Sequence, residues 1–245
     1  MSTFNLDIKL PTLGRIYNPP LPEIITIRAL TARDEKVIFG SWSTKSIDIL
    51  LQKCIVEPKN LDISKLISAD KLAILIHLRM LTYGEEYAYS VKCPSCGKKQ
   101  RLIINMQTDY AYNELKAEDD FYPMHVKLPV CGDELEVYAL NQDELEESER
   151  WIKKFLKNVN LEGDPSMLLR YAYMIKKING DDSMPREQKY GYIEALHGRD
   201  FAYLQHRVED FNLGFDFNVT KPCKFCGEDM EVYAGLGPEF FRSVF

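Results

Sequence analysis

Cys93-Pro94-Ser95-Cys96-Gly97 and Cys223-Lys224-Phe225-Cys226-Gly227 are the stretches on which the reading of this sequence turns. Each sets two thiols three positions apart and closes on glycine, the form of a knuckle that aims two sulfurs at one point. Each lies between strand-like runs, Tyr87 to Val91 and Arg101 to Ile104 around the first, Phe215 to Val219 and Met230 to Tyr233 around the second. Apolar and polar residues alternate in these runs with the period of a half-buried strand, so each knuckle is expected inside a β-hairpin. Four thiolates on two knuckles match the ligand set of a structural tetrahedral zinc site, with Cys93, Cys96, Cys223 and Cys226 as ligands. The pairs stand 130 residues apart, against roughly 15–20 residues in the usual double-CxxC pattern. Free structural thiols at hairpin tips are therefore the alternative. A redox reading would need the motif at a strand-to-helix junction, which a hairpin does not offer.

A repeat supplies the reason for the two pairs to meet. Asp70 to Gly84 and Asp200 to Gly214 are both 14 residues apart, and Gly84 to Cys93 and Gly214 to Cys223 are both 9 apart. The first copy reads as a strand from Ile24 to Leu30 and a helix capped by Thr31 with Asp34 and Glu35 in its first turn. A helix from Ser46 to Cys54 follows, then one from Asp70 to Thr82 stopped at Gly84. The second reads as a strand from Leu135 to Leu140 and a helix from Asp143 to Asn158 with Leu145, Trp151, Ile152, Phe155 and Leu156 as its apolar stripe. Helices from Met167 to Ile178 and from Asp200 to Leu213 complete it. The echo of Cys131 to Ala139 in Cys226 to Ala234 has another offset and reads as two similar strand sequences. The expected fold is α+β: two pseudo-repeated units, each with a strand, about three helices and a CxxC-tipped hairpin, clamped by a zinc-ribbon-like site. The first unit spans 24–107 with its knuckle at 93–97, and the second spans 124–234 with its knuckle at 223–227. A linker, 108–123, separates them, and an arm, 1–23, and a tail, 235–245, flank them.

The arm and tail are the candidate partner-binding segments. Leu10 to Pro22 is proline-rich, and proline fixes φ and holds the preceding residue extended, so the arm should be extended. It either straps its own domain or presents Tyr17, Pro19 and Pro20 to a partner. The tail carries Phe240, Phe241 and Phe245 after a Gly/Pro turn, and either plugs its own core or docks.

Composition narrows the function classes. At 245 residues and 45% hydrophobic content the chain can build one substantial core or two small ones. Six cysteines, two of them (Cys54 and Cys131) without evident mates, suit a reducing compartment. The first residues carry neither a basic nor an apolar segment, so no signal peptide is expected, and no run nears 18 apolar residues, so membrane insertion is not expected. Net charge −6 argues against a broad nucleic-acid footprint. No Walker A, GxGxxG, HExxH or GxSxG sequence occurs. The four histidines are scattered, with His77 expected as a satisfied core residue. Lys98-Lys99-Gln100-Arg101 is the one basic cluster, and Glu228-Asp229 at the other tip should pair with it across the joined knuckles. A zinc-ribbon nucleic-acid-binding protein remains the alternative function, and an enzyme using Cys131 a more distant one.

Several motifs in order carry a resemblance. Leu10-Pro11-Thr12-Leu13-Gly14-Arg15-Ile16-Tyr17, then Arg28-Ala29-Leu30-Thr31-Ala32-Arg33-Asp34-Glu35, the knuckle after Tyr83-Gly84, and the closing CxxC-Gly followed by Phe240-Phe241 together resemble the baseplate hub protein family of T-even-type contractile-tailed bacteriophages. The resemblance covers nearly the whole chain. It implies a non-enzymatic structural or assembly protein of the virion tail baseplate, made in the host cytoplasm. Implied partners are other hub proteins and the tape-measure protein or its chaperones, and a homo-oligomer is compatible with it. Zinc rests on this sequence and not on the family.

Overall fold

The computed structural model describes residues 4–40, 43–116, 122–158, 163–210, 213–237 and 240–241. In chain order the elements are β1 (Asn5–Lys9), β2 (Ile24–Arg28), α1 (Ala32–Gly40), α2 (Thr44–Cys54), β3 (Ile55–Glu57), α3 (Ser68–Tyr83), β4 (Glu86–Lys92), β5 (Lys99–Asn105) and β6 (Ala111–Asn113). They continue as β7 (Met124–Lys127), β8 (Glu134–Val137), α4 (Gln142–Asn158), α5 (Ser166–Met174), β9 (Ile175–Ile178), α6 (Arg186–Glu194), α7 (Gly198–Asp210), β10 (Gly214–Asp216), β11 (Asn218–Pro222) and β12 (Asp229–Tyr233). The expected α+β class holds, with small antiparallel sheets throughout the described residues.

Chain contacts divide these elements into two compact units. Unit 1 comprises Met1–Ile63, Ala69–Leu115 and Leu213–Phe245, and unit 2 comprises Ser64–Ser68 and Lys116–Asn212. The chain thus contributes a short segment to unit 2, returns to unit 1, then builds most of unit 2 before returning again. Here the structure departs from the sequence reading, which put the second hairpin in a second unit over 124–234: β11 and β12 belong to unit 1. The reason is long-range pairing. β10 hydrogen-bonds to β6 with Phe215 opposite Tyr112, and the Tyr110 hydroxyl donates to the Ala234 carbonyl at 2.7 Å.

Unit 1 is founded on the sheet β1-β2-β3, antiparallel throughout, with Asn5 opposite Arg28. Ile25 and Ile27 alternate inward on β2 and are fully buried. Asp34 caps α1 by accepting from the Thr31 N–H and hydroxyl. Arg28 grips the same carboxylate with both terminal nitrogens, at 2.8 and 3.2 Å, and this guanidinium holds the Asp34 carboxyl well below the usual carboxylate range, burial opposing. A reciprocal Ser43–Ser46 capping box starts α2. That helix stops at Cys54 because Ile55 turns extended and pairs with β2. In α3, Ala73, Ile74, Leu75, Ile76 and Leu78 are all buried, so the helix is apolar on most sides and forms the unit's centre. It ends at Gly84, whose φ of +86° is left-handed backbone that glycine adopts without a Cβ clash.

Fully buried Arg79, near the C-terminal end of α3, donates to the carbonyls of Gly84, Glu86 and Phe240. One guanidinium thus joins helix end, hairpin start and C-terminal segment, and burial lowers its pKa. His77 is satisfied, as expected, with Nδ1 2.8 Å from the Ala73 carbonyl and its ring against Tyr112 and Phe215.

Unit 2 holds the sheet β7-β8-β9, also antiparallel, under α4 to α7. Its core gathers Val126, Leu135 and Val137 from the sheet with Leu169, Ile175 and Leu204. The expected helix over Met167 to Ile178 is half right. α5 ends at Met174, and Ile175 leaves helical space at φ −74°, ψ 115° to pair with β8, opposite Val137. Two isoleucines three apart fit either a helix face or a bulged strand, and the open edge of β8 decides for strand. The run Phe215 to Val219, expected as one strand, breaks at Phe217, so that β10 pairs with β6 and β11 with β12. The arm differs too: Asn5–Lys9 is extended, but as a paired edge strand, and the chain turns through Thr12 to Tyr17.

Candidate metal centre

Each knuckle is set by its own strands. β4 and β5 pair from Glu86–Asn105 to Lys92–Lys99, bringing Cys93 onto the turn, and β11 and β12 do the same to Pro222–Asp229. In both turns the first cysteine's N–H donates across the hairpin, Cys93 to the Lys98 carbonyl at 3.0 Å and Cys223 to the Glu228 carbonyl at 2.8 Å. The glycine N–H returns to the first cysteine's carbonyl at 3.0 Å in each. Gly97 at φ +71° and Gly227 at φ +79° make this closure possible. The Cys96 N–H then faces the Cys93 sulfur at 3.5 Å, and the Phe225 N–H faces the Cys223 sulfur at 3.4 Å.

The knuckles meet crosswise. Cys93 Sγ lies 3.8 Å from Cys226 Sγ, and Cys96 Sγ lies 3.8 Å from Cys223 Sγ. All four sulfurs fall within 4.8 Å of one another. Zinc–sulfur bonds of about 2.3 Å in a tetrahedron require sulfurs about 3.8 Å apart. Two of the sulfur–sulfur distances match that spacing, and all four thiols lie close enough together to hold one ion. Cys93 and Cys223 are buried, whereas Cys96 and Cys226 are exposed at the tip.

The clustered thiols differ in proton affinity. The Cys96 N–H is the leading influence holding the Cys93 thiol below its ordinary value. Burial pushes Cys223 upward, yet the Cys226 and Phe225 N–H groups and the neighbouring thiols outweigh it and bring the group down to about 6. The Glu228 N–H lowers Cys226, but partial desolvation of its sulfur and its three thiol neighbours drive it up to about 12. Crowded sulfurs of this kind cannot all carry charge unless a cation sits among them.

Side chains outside the cysteines lock the hairpins together. Gln100 donates to Met230 Sδ at 3.3 Å and accepts from the Lys224 N–H at 2.9 Å. Lys224 Nζ reaches the Arg101 carbonyl at 3.0 Å, and Lys98 lies over the Phe225 ring at 4.8 Å. The charge pairing expected between Lys98-Lys99-Arg101 and Glu228-Asp229 is not formed: among the described residues these groups share no ion pair. Gln100 was not foreseen as a connector, and its signal was a polar residue on the inward register of an otherwise apolar strand.

The other candidate residues scatter. Tyr17 is half-buried and donates to Asp70 at 2.5 Å, while Pro19 and Pro20 are exposed. Phe240 and Phe241 pack inside unit 1 against Tyr87 and Tyr83. Phe245 lies outside the described residues. Cys131 is exposed, and its pKa is raised by partial desolvation of the sulfur with Asp133 and Asp200 beside it, the reverse of what a nucleophilic thiol needs. Cys54 is buried, which pushes its thiol up to about 11.

No helix among the described residues is long and apolar enough to cross a membrane. No curated protein and no solved structure matches the chain. A family model described as T4 bacteriophage base plate protein matches residues 1–242. With nearly its whole length inside that match, the chain belongs to the T4 bacteriophage base plate protein family, structural components of the phage tail.

Proposed function

We propose that this protein is a non-enzymatic structural or assembly component of the baseplate hub, and that one zinc ion held by Cys93, Cys96, Cys223 and Cys226 fixes its first unit. The observation that carries the tail assignment is the family match over residues 1–242. The hub reading adds the ordered motifs from Leu10 to Phe241. Pro19 and Pro20 are the docking points for another hub protein or the tape-measure protein. They project from a loop held rigidly by Tyr17 and Asp70, which lowers the ordering cost of binding. Phe240 and Phe241, being buried, serve to anchor the tail, and Tyr17 serves to pin the arm.

We read the two sheets as copies of one ancestral unit. Both follow the order strand, strand, two helices, strand, and both carry a bulge in the middle strand, at Thr26/Ile27 and at Glu136/Val137. Both also hang the turn after the first strand from an aspartate in the third helical position. Thr12 N–H donates to Asp70, and the Val130 and Cys131 N–H groups donate to Asp200. The turns themselves match, Leu10-Pro11-Thr12-Leu13-Gly14 against Leu128-Pro129-Val130-Cys131-Gly132.

The test is elemental analysis of the chain purified without chelator, followed by mixing with the other tail proteins of its phage. About one zinc per chain and a larger complex support both parts. A chain without metal removes zinc but leaves the tail reading. A chain that joins no tail protein, and is found neither in virions nor in assembly intermediates, overturns the hub reading.

A further inference from the structure

The two knuckled hairpins present outer faces of opposite charge. The Gln100–Met230 contact turns their buried sides together, so the alternate positions on each face outward. On β5 these are Lys99, Arg101 and Ile103, with Lys92 directly opposite Lys99 on β4. On β12 they are Asp229, Glu231 and Tyr233. The two outward triplets occupy the same register, 130 residues apart, with the sign of charge inverted. Each ends in an exposed apolar residue, Ile103 at 39% and Tyr233 at 63% exposure. Among the described residues Lys92, Lys99, Arg101, Asp229 and Glu231 have no ion-pair partner.

Segregated unpaired charges of opposite sign on outward faces of one packed hairpin pair complement each other only between molecules. We infer that copies of this chain associate head to tail, the basic hairpin face of one against the acidic hairpin face of the next, extending the hairpin stack that already exists within each molecule. The occupant of each face is therefore a second copy. Lys99 and Arg101 would meet Asp229 and Glu231, with Ile103 and Tyr233 packing beside them. Such a heterologous contact leaves one face free at each end, so it continues into a ring or a short stack. Charge complementarity also sets register and makes the association sensitive to salt. This inference goes beyond the tail-component reading and does not depend on which tail proteins the chain meets.

The experiment uses the full metal-loaded chain, with sedimentation velocity over a range of concentrations at low and high salt. The expected result is concentration-dependent association that weakens roughly tenfold or more as salt rises. Lys99→Glu with Arg101→Glu makes both faces acidic, and Asp229→Lys with Glu231→Lys makes both basic. Each double variant alone is expected to be monomeric, and an equimolar mixture to associate again. All four positions are exposed, and unchanged circular dichroism and metal content confirm that the variants fold. A wild-type chain that stays monomeric at every concentration in low salt overturns the inference. So does association that ignores both reversals. A monomer that is retained on heparin through Lys99 and Arg101 would assign the basic face to a phosphate polymer and equally overturn it.

Discussion

In unit 1 the turn after β1 is tied to Asp70 by the Thr12 N–H, the Thr12 hydroxyl at 2.6 Å and the Tyr17 hydroxyl at 2.5 Å. In unit 2 the turn after β7 is tied to Asp200 by the Val130 N–H at 2.7 Å and the Cys131 N–H at 3.1 Å. Both carboxylates are fully buried, yet their proton affinities move in opposite directions. Burial raises Asp70, and its three donors only partly offset it. Burial also pulls on Asp200, but the two backbone N–H groups, helped by Cys131 and His197, win and lower it. Two buried aspartates that each hold a turn thus differ in electrostatic character according to which donors surround them. Unit 1 has in addition a knuckle pair, a buried aromatic tail and an arm pinned at Tyr17.

Metal removal should separate the units most. With a strong chelator, or in Cys223→Ser, hydrogen exchange is expected to rise more than about tenfold across Val91 to Arg101 and Val219 to Met230, while β7 to β9 keep their protection. Equal loss in both units would break the assignment of the centre to unit 1. Next in size, Phe240→Ala removes a fully buried ring that packs on Tyr87 at 5.4 Å. It is expected to cost about 3–5 kcal/mol, measured by urea denaturation. An effect below about 1 kcal/mol would mean that the tail is not part of the core.

Asp70→Asn should cost about 1–3 kcal/mol, because three donors lose a carboxylate acceptor. A carboxyl raised in the fold contributes most stability below its unfolded pKa and loses it as pH rises through the folded value. The advantage of wild type over Asp70→Asn should therefore shrink from acid toward neutral pH. Asp200 is lowered, so the advantage of wild type over Asp200→Asn should be full above the unfolded carboxylate pKa and shrink as pH falls. Parallel pH profiles for the two variants would refute the electrostatic contrast. The smallest effect is expected at the paired helix stops. Gly84 and Gly214 have φ of +86° and +89°. A Cβ at Gly84 meets nothing within 4 Å, whereas one at Gly214 meets the Ala69 carbonyl oxygen at 3.3 Å. Gly84→Ala should cost about 1 kcal/mol and Gly214→Ala more, by thermal denaturation.

Much of the candidate centre was legible because its determinants are local. CxxC-Gly spacing, flanking alternation and a positive-φ glycine are properties of a few consecutive residues, and they placed all four cysteines on two hairpin tips. Helix starts at Thr31 and stops at Gly84 were readable for the same reason, since caps act within one turn. Gln100 escaped as a connector because its two partners, Met230 and the Lys224 N–H, are far off in sequence. The Leu-Pro-x-x-Gly pair at 10–14 and 128–132 was missed because its offset differs from the 130 of the cysteines, and insertions between the two blocks destroy a single register.

The sequence by itself therefore determined the knuckles and most helix limits. Tertiary structure alone decided that β11 and β12 return to unit 1, that Ile175 to Ile178 is strand, and that Phe240 is core. The physical reason is shared by all three: each outcome depends on an open strand edge or an apolar cavity supplied by residues distant along the chain. Local pattern leaves such a segment with two acceptable conformations, and the partner surface chooses between them.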